Sequence, residues 1–334
     1  MTPTEVYAPK LRAGAEWLAA RLKPDGSFGK GTDDLNYYYK MPWGMAAGGL
    51  PWASSLVGDH LKGSFLLKDG DMRMSEALSK DQWTRLLYFY YEGWAVYGLQ
   101  KVSRYDVTYR AMSFLARFQD RSSGGFYSNK DKGQMDILTT GLLGLCCLGS
   151  GELERGVRAG TFLASALNEQ KDPGAFYNVV GANGSLVKEF PEEAKLYYVV
   201  DKTALDQWYF HLGIPIAFLV KLYEASGEER FLQTAEEYFV VCEQSREDVF
   251  KWNGTGKLSW GSSLLYKHLR DQKYRKAALS IMEGLFRAQQ PEGGLLSLRS
   301  AYGSLEEQPL SDTIESTAEC VALGSETVQA LSSA

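Results

Sequence analysis

One phrase returns along this chain and limits what it can become. A helical stretch is followed by a glycine turn carrying an aromatic or apolar residue, and then by a second helical stretch of different character. The turns read DGSFG (25–29), DGDMR (69–73), SGGFYS (123–128), PGAFYN (173–178), GKLSWG (256–261) and EGGLLS (292–297), six units spaced by roughly 40 to 80 residues. Glycine supplies the positive φ such a turn needs, and the residue beside it tucks inward as a plug. Repetition on this scale implies an array of one supersecondary unit.

The two helical partners of each unit differ. Before a turn the apolar residues recur at helical spacing: in VRAGTFLASALNEQ (157–170), Val157, Phe162, Leu163, Ala166 and Leu167 share one side. RAMSFLARFQD and RKAALSIMEGLFRAQQ repeat the plan, so these are outer helices with one wet face. After a turn the chain is apolar on nearly every side, as in LTTGLLGLCCLGS (138–150) and LDQWYFHLGIPIAFLVKLYEA (205–225), or aromatic around most of its circumference, as in DQWTRLLYFYYEGWAVYGLQ (81–100). A helix apolar all round is buried all round. Six wet helices alternating with six buried ones predict a double-layered ring, one all-α domain over residues 1–334 that closes when the sixth hairpin meets the first. Sustained strand alternation is not evident. The longest insertion, 178–200, reads as a rim loop or lid.

The net charge of -5 is spread with both signs interspersed, and no basic stripe suggests nucleic acid. The longest apolar run, 138–149, is too short to span a bilayer, and the first residues lack a signal layout, so the expectation is a cytoplasmic protein. Cys146, Cys147, Cys242 and Cys320 have no metal-type spacing and read as buried free thiols.

Each buried helix begins after its turn region, which gathers those beginnings at one end of the ring. Polar residues accumulate there: Asp33, Asp34 and the run to Lys40; Asp136; Lys202 and Asp206; Asp312, Glu315 and Glu319. Helix capping explains one such residue per helix. It does not explain Asp206, Glu315 or Glu319, which are expected a turn or more inside. Glu315 and Glu319 are i and i+4, so both project from one face.

Six α-hairpins with DGSFG-type turns and aromatic buried helices resemble the (α/α)6 toroids, and among them the squalene-cyclase-like, prenyltransferase-repeat proteins. Small toroids of this kind include unconventional sesquiterpene cyclases of fungal pathways. The resemblance covers nearly the whole chain and implies a lyase that ionises a prenyl diphosphate and guides its carbocation in an aromatic cavity. On this expectation Mg²⁺ is held by Asp33, Asp34, Asp206, Glu315 and Glu319, with DDLNY (33–37) a loose echo of the aspartate-rich metal motif that departs at Tyr37. Lys40, Lys202 and Lys257 would take the diphosphate. Tyr38, Trp208 and Trp260 would face the cation, and Asp136 and Glu315 would join them in catalysis.

The same toroid carries uronyl hydrolases, sugar epimerases and polysaccharide lyases, so a carbohydrate-active enzyme is the alternative, with Asp136 and Asp206 as its paired acids. A third possibility is a non-catalytic toroid that binds an apolar metabolite or a protein. NGTGKLS (253–259) is no phosphate loop: the first glycine of that motif is missing, and Leu258 stands where serine or threonine belongs.

Overall fold

A computed structural model gives the structure of residues 2–251, 256–297 and 303–333, so the first three residues of NGTGKLS lie outside the described residues. The helices follow one another in pairs. Helix α1 (Pro3–Ala19) leads to α2 (Met41–Ala47). Next, α3 (Pro51–Ser64) leads through short α4 (Glu76–Lys80) and α5 (Gln82–Leu86) to α6 (Tyr88–Lys101). After α7 (Tyr105–Leu115) comes α8 (Ile137–Gly149), and α9 (Leu153–Asn168) runs past short α10 (Lys195–Tyr198) to α11 (Phe210–Ser226). The last pairs are α12 (Glu229–Glu243) with α13 (Gly256–Leu269), and α14 (Gln272–Arg287) with α15 (Leu310–Ser332).

Helices α2, α6, α8, α11, α13 and α15 each pack on the next, and α15 packs back on α2, which closes an inner ring. Helices α3, α7, α9, α12 and α14 each lie against the inner helix before them, and α1 lies against α15. This is the all-α (α/α)6 toroid. Burial follows the sequence pattern: every residue of α8 from Ile137 to Cys147 is buried, whereas α9 buries a single stripe that includes Ala159, Phe162, Leu163 and Ala166. All four cysteines are buried free thiols.

The repeated glycine has a second reason besides its backbone angle. At Gly293 φ is 105°, and a Cβ there would stand 2.3 Å from the carbonyl oxygen of Ala13 in α1. The sixth turn thus presses on the first outer helix and closes the outer layer. The same contact recurs at Gly26 against Leu56, Gly70 against Arg110 and Gly124 against Arg158, always the next outer helix. Side chains are excluded twice at these positions, by conformation and by space. The plugs are fastened too: the Phe126 N–H donates to Thr140 Oγ1 at 3.0 Å, and the Leu295 N–H to Thr317 Oγ1 at 2.9 Å. Two expected turns depart from the pattern: GKLSWG is the start of α13, and in PGAFYN Gly174 makes no such close approach to a neighbouring helix and leads into a short strand.

Four short strands flank this part of the ring: β1 (Gln134–Asp136) runs into α8, and β2 (Ala175–Tyr177), β3 (Val179–Gly181) and β4 (Val199–Asp201) lie in the excursion between α9 and α11. β1 pairs antiparallel with β3, Met135 opposite Val180, and β2 with β4, Phe176 opposite Val200. Strands of three residues carry no alternation that a sequence can display, which is why none was expected.

Inside the ring, side chains from helices that are not all ring neighbours meet. Trp43 of α2 packs on Trp94 of α6 at 5.2 Å and on Trp260 of α13 at 5.3 Å between ring centroids. All three are fully buried. This tryptophan layer is a floor beneath the space toward the ends where the inner helices begin.

Candidate active site

Above the floor lies a cavity of about 490 Å³, within the range of small-molecule sites. Its wall comes from the leading ends of five inner helices: Tyr39 and Lys40 before α2, Tyr90 and Tyr91 of α6, Phe210 of α11, Lys257 of α13, and Asp312, Glu315 and Glu319 of α15. Trp83, from short α5, and Trp208, just before α11, complete the aromatic rim with their centroids 4.5 Å apart.

The polar centre of this cavity is a chain of four charges. Lys40 Nζ donates to Glu315 Oε1 at 2.7 Å and to Glu319 Oε2. Lys257 Nζ donates to the other oxygen of Glu319 at 2.6 Å. One carboxylate therefore holds two ammonium groups, and Glu315 holds the outer flank of Lys40. The lysine side chains are 3% and 5% exposed, and Glu315, at 38%, is the member open to the cavity. The i, i+4 spacing read from the sequence aims both glutamates this way. Aromatic faces complete the shell: Lys40 Nζ lies 5.2 Å and Lys257 Nζ 5.6 Å from the Trp94 ring, and Lys257 also lies 5.0 Å from Phe210.

The two lysines differ in their affinity for protons. Burial works to lower Lys40, but Glu315 and Glu319 together outweigh it and hold its pKa well above the ordinary lysine value. Lys257 is just as deeply buried and donates to the shared Glu319, with Glu315 farther off and the Lys40 ammonium close by. Desolvation dominates there, and its pKa falls to about 8. Burial would raise Glu319, but its two ammonium partners, Lys257 and Lys40, overcome that and bring it down to about 2. Asp312 is half-buried, and desolvation raises its pKa. Two lysines pushed in opposite directions on one carboxylate form a fixed cation beside a proton carrier.

Of the residues expected at the site from sequence, the structure brings Lys40, Lys257, Glu315, Glu319 and Trp208 to this cavity. The others lie elsewhere. Asp33 is exposed, and Asp34 accepts a hydrogen bond from the Ser75 N–H at 3.0 Å outside the cavity. Asp206 is exposed at a left-handed φ of 57°, its N–H donating to Asp248 Oδ2 at 2.7 Å. Lys202 Nζ donates to Gln244 at 3.2 Å. Asp136 is a buried cap of α8 whose Oδ1 accepts from the Thr139 N–H at 2.6 Å; desolvation raises its pKa. Its other oxygen accepts from the Tyr197 hydroxyl at 3.5 Å, which ties the 178–200 segment to the ring. Tyr38 plugs the gap toward α3, bonded to Thr32 at 2.9 Å and packed on Phe65, and Trp260 belongs to the floor. None of the residues 178–200 lines the cavity, and α5 supplies its rim there instead. Tyr90, Leu87 and Ser316 line the cavity without having been singled out in the sequence; helical phase relative to Tyr91 and Glu315 was the available signal.

The expected Mg²⁺ centre does not fit these residues. Among the described residues no group of three or more His, Cys, Asp or Glu side chains comes together to hold a metal ion. Asp33, Asp34 and Asp206 are outside the cavity, and the two glutamates are already paired with lysines. Of the three lysines expected to receive a diphosphate, Lys40 and Lys257 are held in those same pairs and Lys202 lies outside the cavity.

No protein-family model and no curated protein sequence matches this chain. Solved structures do. A D-mannose isomerase superposes with a TM-score of 0.64 at 12% identity, covering 94% of this chain and 96% of that one. An inactive variant of the alpha-1,6-mannanase GH76A of Salegentibacter sp. HEL1_6, in complex with alpha-1,6-mannotriose, gives 0.62 at 13%, covering 97% and 99%. A possible member of the GH105 family from Klebsiella pneumoniae gives 0.57 at 11%, covering 96% and 92%. Likeness at this identity establishes the toroid. It also corrects the expected isoprenoid cyclase: these similar structures are a mannose isomerase, a mannanase and a possible GH105 member, not terpene cyclases. The cavity agrees with that correction, being floored by tryptophans instead of running deep into the ring, with Glu315 and Glu319 paired with lysines. No described helix is long and apolar enough to cross a membrane.

Proposed function

We propose that this chain is a carbohydrate-active enzyme that moves a proton on a small saccharide bound in the cavity, an isomerase or epimerase in reaction class. The observation that carries the reading is the Glu315–Lys40–Glu319–Lys257 chain set beneath an aromatic rim. The apolar face of a pyranose stacks on Trp83 and Trp208, and its hydroxyls meet Glu315, Asp312 and Ser316. The folds of mannose isomerase, GH76 mannanase and GH105 neighbours support the substrate class by analogy.

Proton transfer is favoured over hydrolysis by where the acids stand. Glycoside hydrolysis uses two carboxyl groups flanking the scissile bond. Among the described residues the cavity's carboxylates, Asp312, Glu315 and Glu319, all belong to α15, so they approach from one side. The paired aspartates of the hydrolase alternative, Asp136 and Asp206, are not in the cavity. The lysines suit proton transfer better. With its pKa near 8, Lys257 is neutral in about one molecule in ten at pH 7 and can accept a proton from carbon next to a carbonyl. Lys40 stays charged and stabilises the negative oxygen that develops there. Glu319 positions both amines.

The test is a proton NMR panel in D₂O with mannose, glucose, fructose, an α-1,6-mannobiose and an unsaturated uronyl disaccharide. A substrate of this enzyme exchanges for deuterium the proton on the carbon next to its carbonyl, C2 of an aldose or C1 of fructose, and the Lys257→Met variant does not exchange it. Hydrolysis of a disaccharide without that exchange, or inertness toward every sugar in the panel, overturns the reading.

A further inference from the structure

We propose that Lys257 is a covalent capture site for small carbonyl compounds, condensing with an aldehyde in the cavity to form an imine. Proton transfer asks only that this amine be basic; the geometry also makes it a nucleophile. Its Nζ lies at the wall of a space large enough for a small molecule, with Tyr90, Trp94 and Phe210 ring centroids at 5.9, 5.6 and 5.0 Å. It shares Glu319 with a second ammonium, that of Lys40. A lysine that is desolvated and set beside another cation is the arrangement that frees an amine for attack on carbonyl carbon.

The groups facing this amine set its behaviour. Glu319 of α15 accepts its hydrogen bond, Glu315 of the same helix lies beyond, Lys40 stands beside it, and the Tyr90 phenol of α6 covers it. The two carboxylates favour the ammonium form, and burial with the neighbouring Lys40 charge opposes it more strongly, which leaves a proton affinity near neutrality. At pH 7 a group with pKa about 8 is neutral about 300 times as often as one at the ordinary 10.5.

The condensation balances without a redox partner. The Nζ lone pair attacks the carbonyl carbon, so a C–N bond forms as the carbonyl π bond breaks. Both N–H hydrogens of the neutral amine pass to the carbonyl oxygen, which leaves as water, and a C=N bond remains. Lys40, held charged at 2.7 Å from Glu315, steadies the negative oxygen as those protons reach it. While the imine stands, Lys257 cannot shuttle protons, so aldehydes inhibit whatever reaction this amine serves.

The experiment incubates the intact protein at pH 7 with glyceraldehyde, and separately with the apolar propionaldehyde, in the presence of cyanoborohydride. Reduction adds the aldehyde's mass less one oxygen to each trapped lysine, and peptide mass mapping locates it. The exposed Lys30 and Lys276 are internal references. The expected result is labelling of Lys257 at least tenfold faster than either, rising with pH to a plateau above about 8. The Lys257→Arg variant should lose that adduct alone. Labelling confined to exposed lysines with Lys257 unmodified overturns the proposal, and the wild-type map decides this even if the variant does not fold. Capture at Lys257 in a protein that exchanges no sugar proton would leave this inference standing while the sugar reading falls; exchange without capture would do the reverse.

Discussion

Replacing Lys257 by methionine should stabilise the protein while abolishing its activity. The ammonium is held in the folded state at a pKa of about 8 instead of 10.5. At pH 7 that shift of about 2.5 units corresponds to about 3 kcal/mol by which the buried charge destabilises the fold. Methionine fills a similar volume without a charge, and Glu319 keeps Lys40 as its partner. The variant should therefore gain up to about 3 kcal/mol at pH 7, less whatever packing the new side chain loses. The pH dependence carries the sign. Between about 8 and 10.5 the unfolded chain binds a proton at this lysine and the folded chain does not, so wild-type stability rises with pH across that window. The advantage of the variant should shrink over the same interval and vanish above it. Urea unfolding of both proteins from pH 7 to 10.5, with sugar turnover measured on the same samples, is the assay. A variant less stable than wild type by more than about 1 kcal/mol at pH 7, or a difference that does not change with pH, would refute the reasoning.

Glu319→Gln acts the other way: it strands the buried Lys257 ammonium and leaves Lys40 with Glu315 alone, and should destabilise by about 3–5 kcal/mol in denaturant titrations. Since the folded Glu319 pKa is about 2 against an ordinary 4.5, wild type should lose more stability than this variant as pH falls from 4.5 toward 2, with Glu224 and Asp120 titrating in both. Trp83→Ala and Trp208→Ala should each weaken saccharide binding about five- to tenfold by calorimetry, with thermal stability nearly unchanged because both side chains are half-buried. Gly213→Ala places a Cβ 2.3 Å from the Leu258 nitrogen, forces α11 off α13, and should destabilise by about 1–3 kcal/mol or more while displacing Lys257. Asp136→Ala should cost about 1–2 kcal/mol as a lost helix cap without changing the chemistry, and Asp206→Asn should change neither; loss of turnover in a folded Asp206→Asn protein would contradict the site assignment.

The ring was legible because its signals are local. A turn glycine, its plug and the contrast between striped and wholly apolar helices all fall within one hairpin, and at Gly26, Gly70, Gly124 and Gly293 the missing side chain lets the backbone of the next outer helix come close. The shared face of Glu315 and Glu319 was equally local. What those glutamates do was not: Lys40 and Glu315 are 275 residues apart, and no spacing rule pairs them across a ring closure. Carboxylates near helix starts were overread for a related reason. Asp136 and Asp34 satisfy backbone N–H groups, as most such residues do, and a sequence does not say which oxygen remains for a ligand. Aromatic residues misled through burial. Tyr38 and Trp260 are as buried as any cavity wall would require, yet one plugs the space between layers and the other fills the axis. Those two positions, more than any missing motif, separate a shallow sugar-sized cavity from the deep hollow a carbocation would need.

A crystal structure of the protein with the sugar whose proton it exchanges bears most directly on the account. Density for that sugar against Trp83 and Trp208, with a hydroxyl or carbonyl oxygen in hydrogen-bond reach of Lys40 and a carbon near Lys257 Nζ, is the predicted result. A sugar bound at the opposite end of the ring, beside Gln100 and Lys221, or on the outer helices with the lysine–glutamate chain untouched, would contradict it.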